Sequence, residues 1–143
     1  MSAGLVTFAL GAREYATPLA AVREVVRLEG LTDLPGMTPP LAGVLDLRGM
    51  ALPVLDLRPA PGVRGDVMVL ERGDASGDAS SVGVAVDKVR AVVAASELPP
   101  AGGSGADEGV LPSYVVDVLR GRAGPVFLVD LQRMVDSVRG VPR

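Results

Sequence analysis

Apolar residues in this chain fall mostly in short runs separated by turn-forming residues. Residues 5–10 make the first run, and the turn Gly-Ala-Arg joins them to residues 14–17, a pattern typical of a β-hairpin. Residues 82–94 alternate around Val82, Val84, Val86 and Val89, which predicts a long or bent strand. With the further runs, about eight to ten short strands are predicted, which favours an all-β barrel or sandwich over a parallel α/β sheet. Those further runs are residues 43–58, 67–70, 114–119 and 125–131.

Two segments depart from this pattern and predict helices. After Pro18, apolar residues occur at spacings of three and four, which predicts a short helix within residues 18–27. The same spacing at Leu131, Val135 and Val138 predicts an amphipathic helix at the C-terminal end of the chain. The fold is therefore expected to be mainly β, with short helices.

Proline and glycine cluster at two places, residues 59–65 and 99–109. These clusters interrupt the series of strands, and they predict two β-lobes rather than a single sandwich. Residues 73–81 are small and polar and have nothing to bury, as have the glycines of the second cluster. Both loops are therefore expected to be mobile.

The composition excludes several kinds of chemistry. The chain has no cysteine and no histidine, so it lacks disulfides, thiolate nucleophiles, the common zinc sites and the most frequent general base. Residues 102–105 are rich in glycine, but they lack the lysine and the strand–loop–helix context of a phosphate-binding loop. We therefore expect no catalytic residue, no metal and no cofactor.

Length and charge indicate the number of domains, the class of partner and the cellular location to expect. The 143 residues are enough for one domain, and we treat residues 1–143 as a single domain. A net charge of −3 suits the phosphate backbone poorly, so nucleic acid is not an expected partner. No apolar run approaches the ~20 residues of a transmembrane helix. We expect a soluble, cytoplasmic protein that does not insert into the membrane.

Residues 43–58 contain the triplet Asp-Leu-Arg twice, beginning at Asp46 and at Asp56. Arg48 precedes Gly49 in what reads as a tight turn between two strands. Two carboxylates on one hairpin could serve acid–base chemistry, so a small β-barrel hydrolase using Asp46 and Asp56 is one hypothesis. The apolar strands around them and the arginine two residues after each favour local turn and ion-pair chemistry instead.

The run Gly-Val-Leu-Asp-Leu-Arg-Gly at residues 43–49 resembles the signature of the CheW family of chemotaxis coupling proteins. Residues 22–28, Val-Arg-Glu-Val-Val-Arg-Leu, and the Leu-Pro-Gly at 34–36 strengthen the resemblance, and residues 82–89 continue it. Asp46 departs from the asparagine usual there. The resemblance covers nearly the whole chain and implies a single CheW-like domain made of two small five-stranded SH3-like β-barrels. These would pack side by side with a groove between them.

The resemblance also implies a function. The chain would be a non-catalytic adaptor that couples chemoreceptors to the histidine kinase CheA in a chemotaxis-type signalling array. The implied partners are the cytoplasmic tip of a chemoreceptor, the regulatory domain of CheA and other CheW-like domains. The implied location is the cytoplasm beneath membrane receptor arrays. A CheW-like domain adapted to a non-receptor partner, such as a polar localisation factor, is the alternative within the same fold.

The resemblance also indicates which residues would bind the receptor and the kinase. Arg48 matches the family's hallmark arginine, and at a rigid turn its donors could bind carbonyls or a carboxylate. Glu24 matches the glutamate at the family's receptor groove, although pairing with Arg23 or Arg27 would explain it equally well. Gly83 lies inside a predicted strand, where glycine often marks close approach of another backbone. The predicted receptor- and kinase-binding residues are Val22, Glu24, Val25, Gly43, Arg48, Gly49, Val67 and Gly83, of which the valines also fit a plain core.

Overall fold

The computed structural model describes residues 4–60, 64–73, 79–102 and 111–139. In this part of the chain ten β-strands make up most of the structure, and one α-helix follows the last strand. The loops expected to be mobile include residues 74–78 and 103–109, which lie outside the described residues. The strands are β1 (Gly4–Leu10), β2 (Arg13–Pro18), β3 (Glu24–Arg27), β4 (Leu41–Leu47), β5 (Met50–Asp56), β6 (Asp66–Gly73), β7 (Ala79–Val86), β8 (Lys88–Ala94), β9 (Val115–Arg120) and β10 (Pro125–Val129), and the helix is α1 (Leu131–Arg139).

The strands form two five-stranded sheets, and one of them is inserted between strands of the other along the chain. We call the sheet β8-β1-β2-β10-β9 the terminal lobe and the sheet β3-β6-β7-β5-β4 the inserted lobe. The pairs β2–β10 and β5–β7 are parallel, and the other neighbours are antiparallel. The predicted all-β fold with two small five-stranded units is confirmed.

The chain changes lobe at places that the proline and glycine clusters do not mark. Residues 59–65 join β5 to β6 within the inserted lobe, and residues 99–109 precede β9 in the terminal lobe. The second crossing is at Asp87, so the run predicted as one long or bent strand is two strands of different lobes. Asp87 is held by the Ala9 carbonyl, which accepts its backbone N–H at 3.1 Å, and its carboxylate accepts the Gly11 N–H at 2.6 Å. Because this crossing is a single residue, the composition of the sequence does not mark it.

The helix predicted within residues 18–27 is a single 3-10 turn, Leu19–Ala21. Val25 and Val26 belong to β3, which pairs antiparallel with β6. Spacings of three and four over so few residues do not distinguish a helix from a strand. The side of β6 that does not pair with β7 offers backbone hydrogen bonds, and a segment with β-branched residues can use them as a strand. The C-terminal helix, Leu131–Arg139, is confirmed.

Strands β6 and β7 are buried on both faces. Val67 and Val69 pack inside the inserted lobe, whereas Met68 and Leu70 pack in a core shared with the terminal lobe and α1. Because each strand lies between two cores, neither has a polar face in its buried part. In β6 this gives a continuous apolar run, and in β7 the small residues Gly83 and Ala85 alternate with the valines. The terminal lobe encloses a smaller core of its own, made of Leu5, Ala16, Leu119 and Val126.

Candidate partner-binding site

Arg48 and Gly49 form the turn of the β4–β5 hairpin. Leu47 pairs directly with Met50, so these two residues are the whole loop, and their φ angles are 51° and 85°. Positive φ at both positions gives a two-residue turn the twist of the strands that it joins. Asp46 supports the turn by accepting a hydrogen bond from the Gly49 N–H at 2.9 Å. Arg48 is the one non-glycine residue of the described segments with positive φ, and strain of this kind concentrates at functional positions.

An ion pair holds the Arg48 side chain. Its Nη2 donates to Glu24 Oε2 at 2.6 Å. Because β3 and β4 are the two edge strands of the inserted sheet, this pair links opposite edges of one sheet. The Arg48 hydrogen bond lowers the pKa of Glu24 below its ordinary value, and the same bond raises the pKa of Arg48. The two side chains stay 65% and 26% exposed, so water screens the pair and leaves Arg48 accessible.

A backbone link beside Gly43 joins β4 to the segment between β3 and β4. Thr32, which lies between β3 and β4, exchanges two backbone hydrogen bonds with Val44, each 2.9 Å long. Gly43 is buried, and a Cβ atom at this position would lie 2.6 Å from the Thr32 carbonyl oxygen. Only glycine permits this approach. Gly43 thus shapes the inserted lobe, and its predicted role in binding remains a prediction.

Val67 and Gly83 contact each other inside the inserted lobe. Val67 is fully buried, and a Cβ atom on Gly83 would lie 2.7 Å from Val67 Cγ1 and 3.0 Å from Leu52 Cδ2. The close approach predicted at Gly83 is therefore made by side chains of its own lobe. Neither residue forms part of the surface, so a role of either in binding would have to act through the shape of the lobe.

Val22 and Val25 lie where the two lobes meet. Val25 is opposite Met68 in the antiparallel β3–β6 pair and so shares the face that packs towards the terminal lobe. It nevertheless remains 43% exposed. Val22 is half-buried against the same shared core. The structure therefore puts both residues at the edge of the contact between the lobes.

Two further apolar residues border this contact and were not singled out from the sequence. Val92 lies opposite Val6 of the shared core but is 60% exposed, and Leu19 is 42% exposed. They are neighbours, since a Cβ atom on Gly4 would be 3.3 Å from Leu19 and 3.8 Å from Val92. The apolar spacing around residues 19 and 92 was visible in the sequence, but their exposure was not. We call Leu19, Val22, Val25 and Val92 the apolar rim.

The second Asp-Leu-Arg triplet has a structural role. Arg58 is buried and binds Asp56 with two hydrogen bonds, from Nε at 2.9 Å and from Nη2 at 2.8 Å. It also donates to the Arg64 carbonyl, and the bond to Asp56 raises the pKa of Arg58. Asp46 is paired with Ala51, five residues from Asp56 along β5, so the two carboxylates are separated by roughly 17 Å. The hydrolase hypothesis is wrong, because these carboxylates share no site.

A family model for the CheW-like domain matches residues 4–139. The chain belongs to the CheW-like family. Proteins of this family are non-catalytic scaffolds of chemotaxis signalling, so this chain is a scaffold and not an enzyme. Within the described residues, no helix has the length and hydropathy needed to cross a bilayer.

Individual proteins support the assignment. The chemotaxis protein CheW of Treponema pallidum (strain Nichols) is 23% identical over 141 residues, covering 93% of this chain and 82% of that protein. The chemotaxis protein CheW of Bacillus subtilis (strain 168) is 35% identical over 54 residues, which cover 38% of this chain and 35% of that protein. The crystal structure of the scaffolding protein TtCheW from Thermoanaerobacter tengcongensis superposes with a TM-score of 0.68 at 19% identity, covering 92% and 86% of the two chains. The CheW-like fold of two SH3-like barrels is thereby confirmed.

Proposed function

We propose that this chain couples a chemoreceptor to the histidine kinase CheA in a chemotaxis-type signalling array. The observation that carries the proposal is the match to the CheW-like family over residues 4–139. The chain would supply binding surfaces and no chemistry, in the cytoplasm beneath membrane receptor arrays. Its partners would be the receptor tip, the regulatory domain of CheA and other CheW-like domains, without nucleic acid and without insertion into the membrane.

The apolar rim is the surface that we assign to the receptor. Leu19 and Val92 border the contact between the lobes from the terminal side, and Val25 borders it from the inserted side. Exposed valine and leucine side chains beside the contact between the lobes suit the apolar face of an amphipathic helix, which is a recurring mode of recognition. This assignment retains Val22 and Val25 from the sequence prediction and extends them.

Arg48 and Glu24 form the polar part of the proposed site. The two-residue turn fixes the Arg48 backbone, and Glu24 holds one end of its guanidinium while most of the side chain remains exposed. A guanidinium has five N–H donors, so donors remain for a backbone carbonyl or a carboxylate of the partner. Little conformational freedom would be lost on binding, because the arginine is already held in place.

The experiment is a three-component binding assay. The chain is immobilised and mixed with a receptor cytoplasmic fragment, with the regulatory domain of CheA, and with both together. An adaptor should capture each partner alone and should retain both at once. Capture of the kinase domain without the receptor fragment would instead support a CheW-like domain adapted to a non-receptor partner. Capture of neither would contradict the coupling function.

A further inference from the structure

The small core of the terminal lobe continues into a pocket of about 580 Å³. In the sheet register Thr7 lies opposite Ala16 and Val126 lies opposite Glu14, so Thr7 and Glu14 share the inner face of the lobe with its core. Both are partly exposed, whereas Ala16 and Val126 are buried. Val126 and the half-buried Leu98 belong to the core cluster and also line the pocket. The pocket is therefore the open mouth of this lobe, with an apolar floor.

The mouth carries positive charge. Arg13, Arg90 and Arg122 line it, and Glu14 is the one carboxylate among the described residues that line it. Arg90 is the extra residue of a β-bulge, because its neighbours Val89 and Ala91 pair with consecutive residues of β1. A bulge of this kind redirects the side chain that it carries. The chain as a whole has a net charge of −3, so the sign of the charge at this mouth is opposite to that of the whole chain.

Two of the three arginines pair with no acidic side chain of the described residues. Glu14 accepts hydrogen bonds from Arg90 Nε at 3.1 Å and 2.9 Å, which occupies the carboxylate. Arg13 and Arg122 have no hydrogen bond or ion pair from their side chains within the described part of the chain, and both are exposed. Guanidinium groups bind carboxylates through paired N–H donors, and this pairing is stronger where an adjacent apolar surface excludes water.

We propose that the mouth of the terminal lobe binds a short acidic peptide segment of a partner protein. Carboxylates of the segment pair with Arg13 and Arg122, and an apolar side chain of the segment packs on Leu98 and Val126. The volume suits a few side chains rather than a whole domain face. The residues that line this pocket include neither the apolar rim nor Arg48 and Glu24, so the proposal does not rest on the proposed adaptor function.

The test uses a fluorescein-labelled hexapeptide that alternates leucine with glutamate or aspartate, titrated with the chain and followed by fluorescence anisotropy. A peptide with glutamine and asparagine in place of the acids is the control ligand. R13Q/R122Q should weaken binding of the acidic peptide by about tenfold or more, because two charge-assisted pairs are lost. R27Q/R133Q removes two exposed arginines outside the mouth and should leave the affinity unchanged. E14Q should tighten binding, since it frees Arg90 and removes the negative charge of the mouth.

Several results would overturn this assignment. Parent protein that does not bind the acidic peptide, or that binds the neutral peptide equally well, excludes it. Equal affinity of R13Q/R122Q and R27Q/R133Q excludes it as well, provided that circular dichroism finds both variants folded. Binding of phosphatidylserine vesicles or single-stranded DNA through Arg13 and Arg122, without binding of the peptide, would assign the mouth to a different class of ligand.

Discussion

The triplet Asp-Leu-Arg occurs twice in this chain, and its two arginines have opposite surroundings. Arg48 is exposed at a turn and pairs with Glu24 from a distant strand, while Arg58 is buried and pairs with Asp56 of its own triplet. In the first triplet the aspartate binds a backbone N–H, and in the second it binds the arginine itself. The same three residues therefore provide a candidate contact in one place and a structural ion pair in the other.

Arg48→Ala should affect binding more than folding. Exposed ion pairs contribute little to stability, so the variant should melt close to the parent temperature. Loss of a charge-assisted hydrogen bond should weaken binding of the receptor fragment or of the kinase regulatory domain by about ten- to a hundredfold, as measured by calorimetry. Arg27→Ala is the control, since Arg27 is also exposed and lies on the same lobe. If both affinities match the parent, Arg48 is only a turn residue.

Arg58→Ala should have the opposite effect. The substitution leaves the Asp56 carboxylate, 12% exposed, without its guanidinium partner. Breaking a buried ion pair by removing one member costs about 3 kcal/mol or more of unfolding free energy. Urea denaturation followed by circular dichroism measures this loss, and Arg48→Ala provides the comparison within the same protein. Equal midpoints for the two variants would mean that the buried pair does not stabilise the fold.

At the scale of the elements, the paired strands β6 and β7 have side chains whose sizes are matched to one another. Their alternating side chains fill one core inside the inserted lobe and a second core between the lobes. Gly83 is paired with Val69 in this register, and the space that a side chain would need there is taken by Val67. Glycine at this position is explained by packing rather than by a turn.

Gly83→Ala should therefore destabilise the protein by about 1–3 kcal/mol, the usual cost of overpacking a filled core. Val67→Ala opens space next to Gly83 at its own cost in buried volume. The double variant should be more stable than the sum of the two single losses predicts, because the new methyl group occupies the space that Val67 leaves. Strictly additive losses in thermal or urea unfolding would contradict this account of Gly83.

At the scale of the molecule, the inserted lobe joins the terminal lobe through a shared apolar core. Phe8 and Val6 of β1 pack there with Met68 of β6 and with Leu131 of the C-terminal helix. The chain crosses between the lobes twice, so the inserted lobe is one continuous segment of the sequence, whereas the terminal lobe combines strands from both ends of the sequence. The apolar rim exists only because the lobes meet in this way, since its members come from both.

Val25→Arg and Val92→Arg should each block the receptor fragment without unfolding the chain. Val25 is 43% exposed and Val92 is 60% exposed, so arginine can reach solvent at either position, but its charge would have to be desolvated under an apolar helix. We expect affinity for the fragment to fall about tenfold or more for either variant. Val116→Arg is the matched control, because Val116 is as exposed as Val92 and lies on the edge strand β9. Equal losses for all three variants would show that charge alone, and not the rim, causes them.

Much of the local structure follows from the sequence. Alternating valines, the Arg-Gly turn and the spacing in the last residues predicted the strands, the β4–β5 hairpin and α1, because each depends on residues close together in the chain. The resemblance of residues 22–28 and 43–49 to one family predicted the fold class. The absence of cysteine and histidine excluded disulfides, thiolate nucleophiles, the common zinc sites and a histidine general base. Arg48 and Glu24 were both singled out, although their ion pair was not.

Tertiary structure decided which residues are buried, where the chain crosses between the lobes and which distant residues pair. A period of two indicates that a strand has two faces, but not which core each face meets, so the burial of Val67 and Gly83 could not be distinguished from a surface role. The lobe crossing at Asp87 and the exposure of Leu19 and Val92 depend on contacts between residues far apart in sequence. The same is true of the Glu24–Arg48 pair, which forms because a curved sheet brings its two edges together. Such contacts arise from the path of the whole chain, and no local pattern records that path.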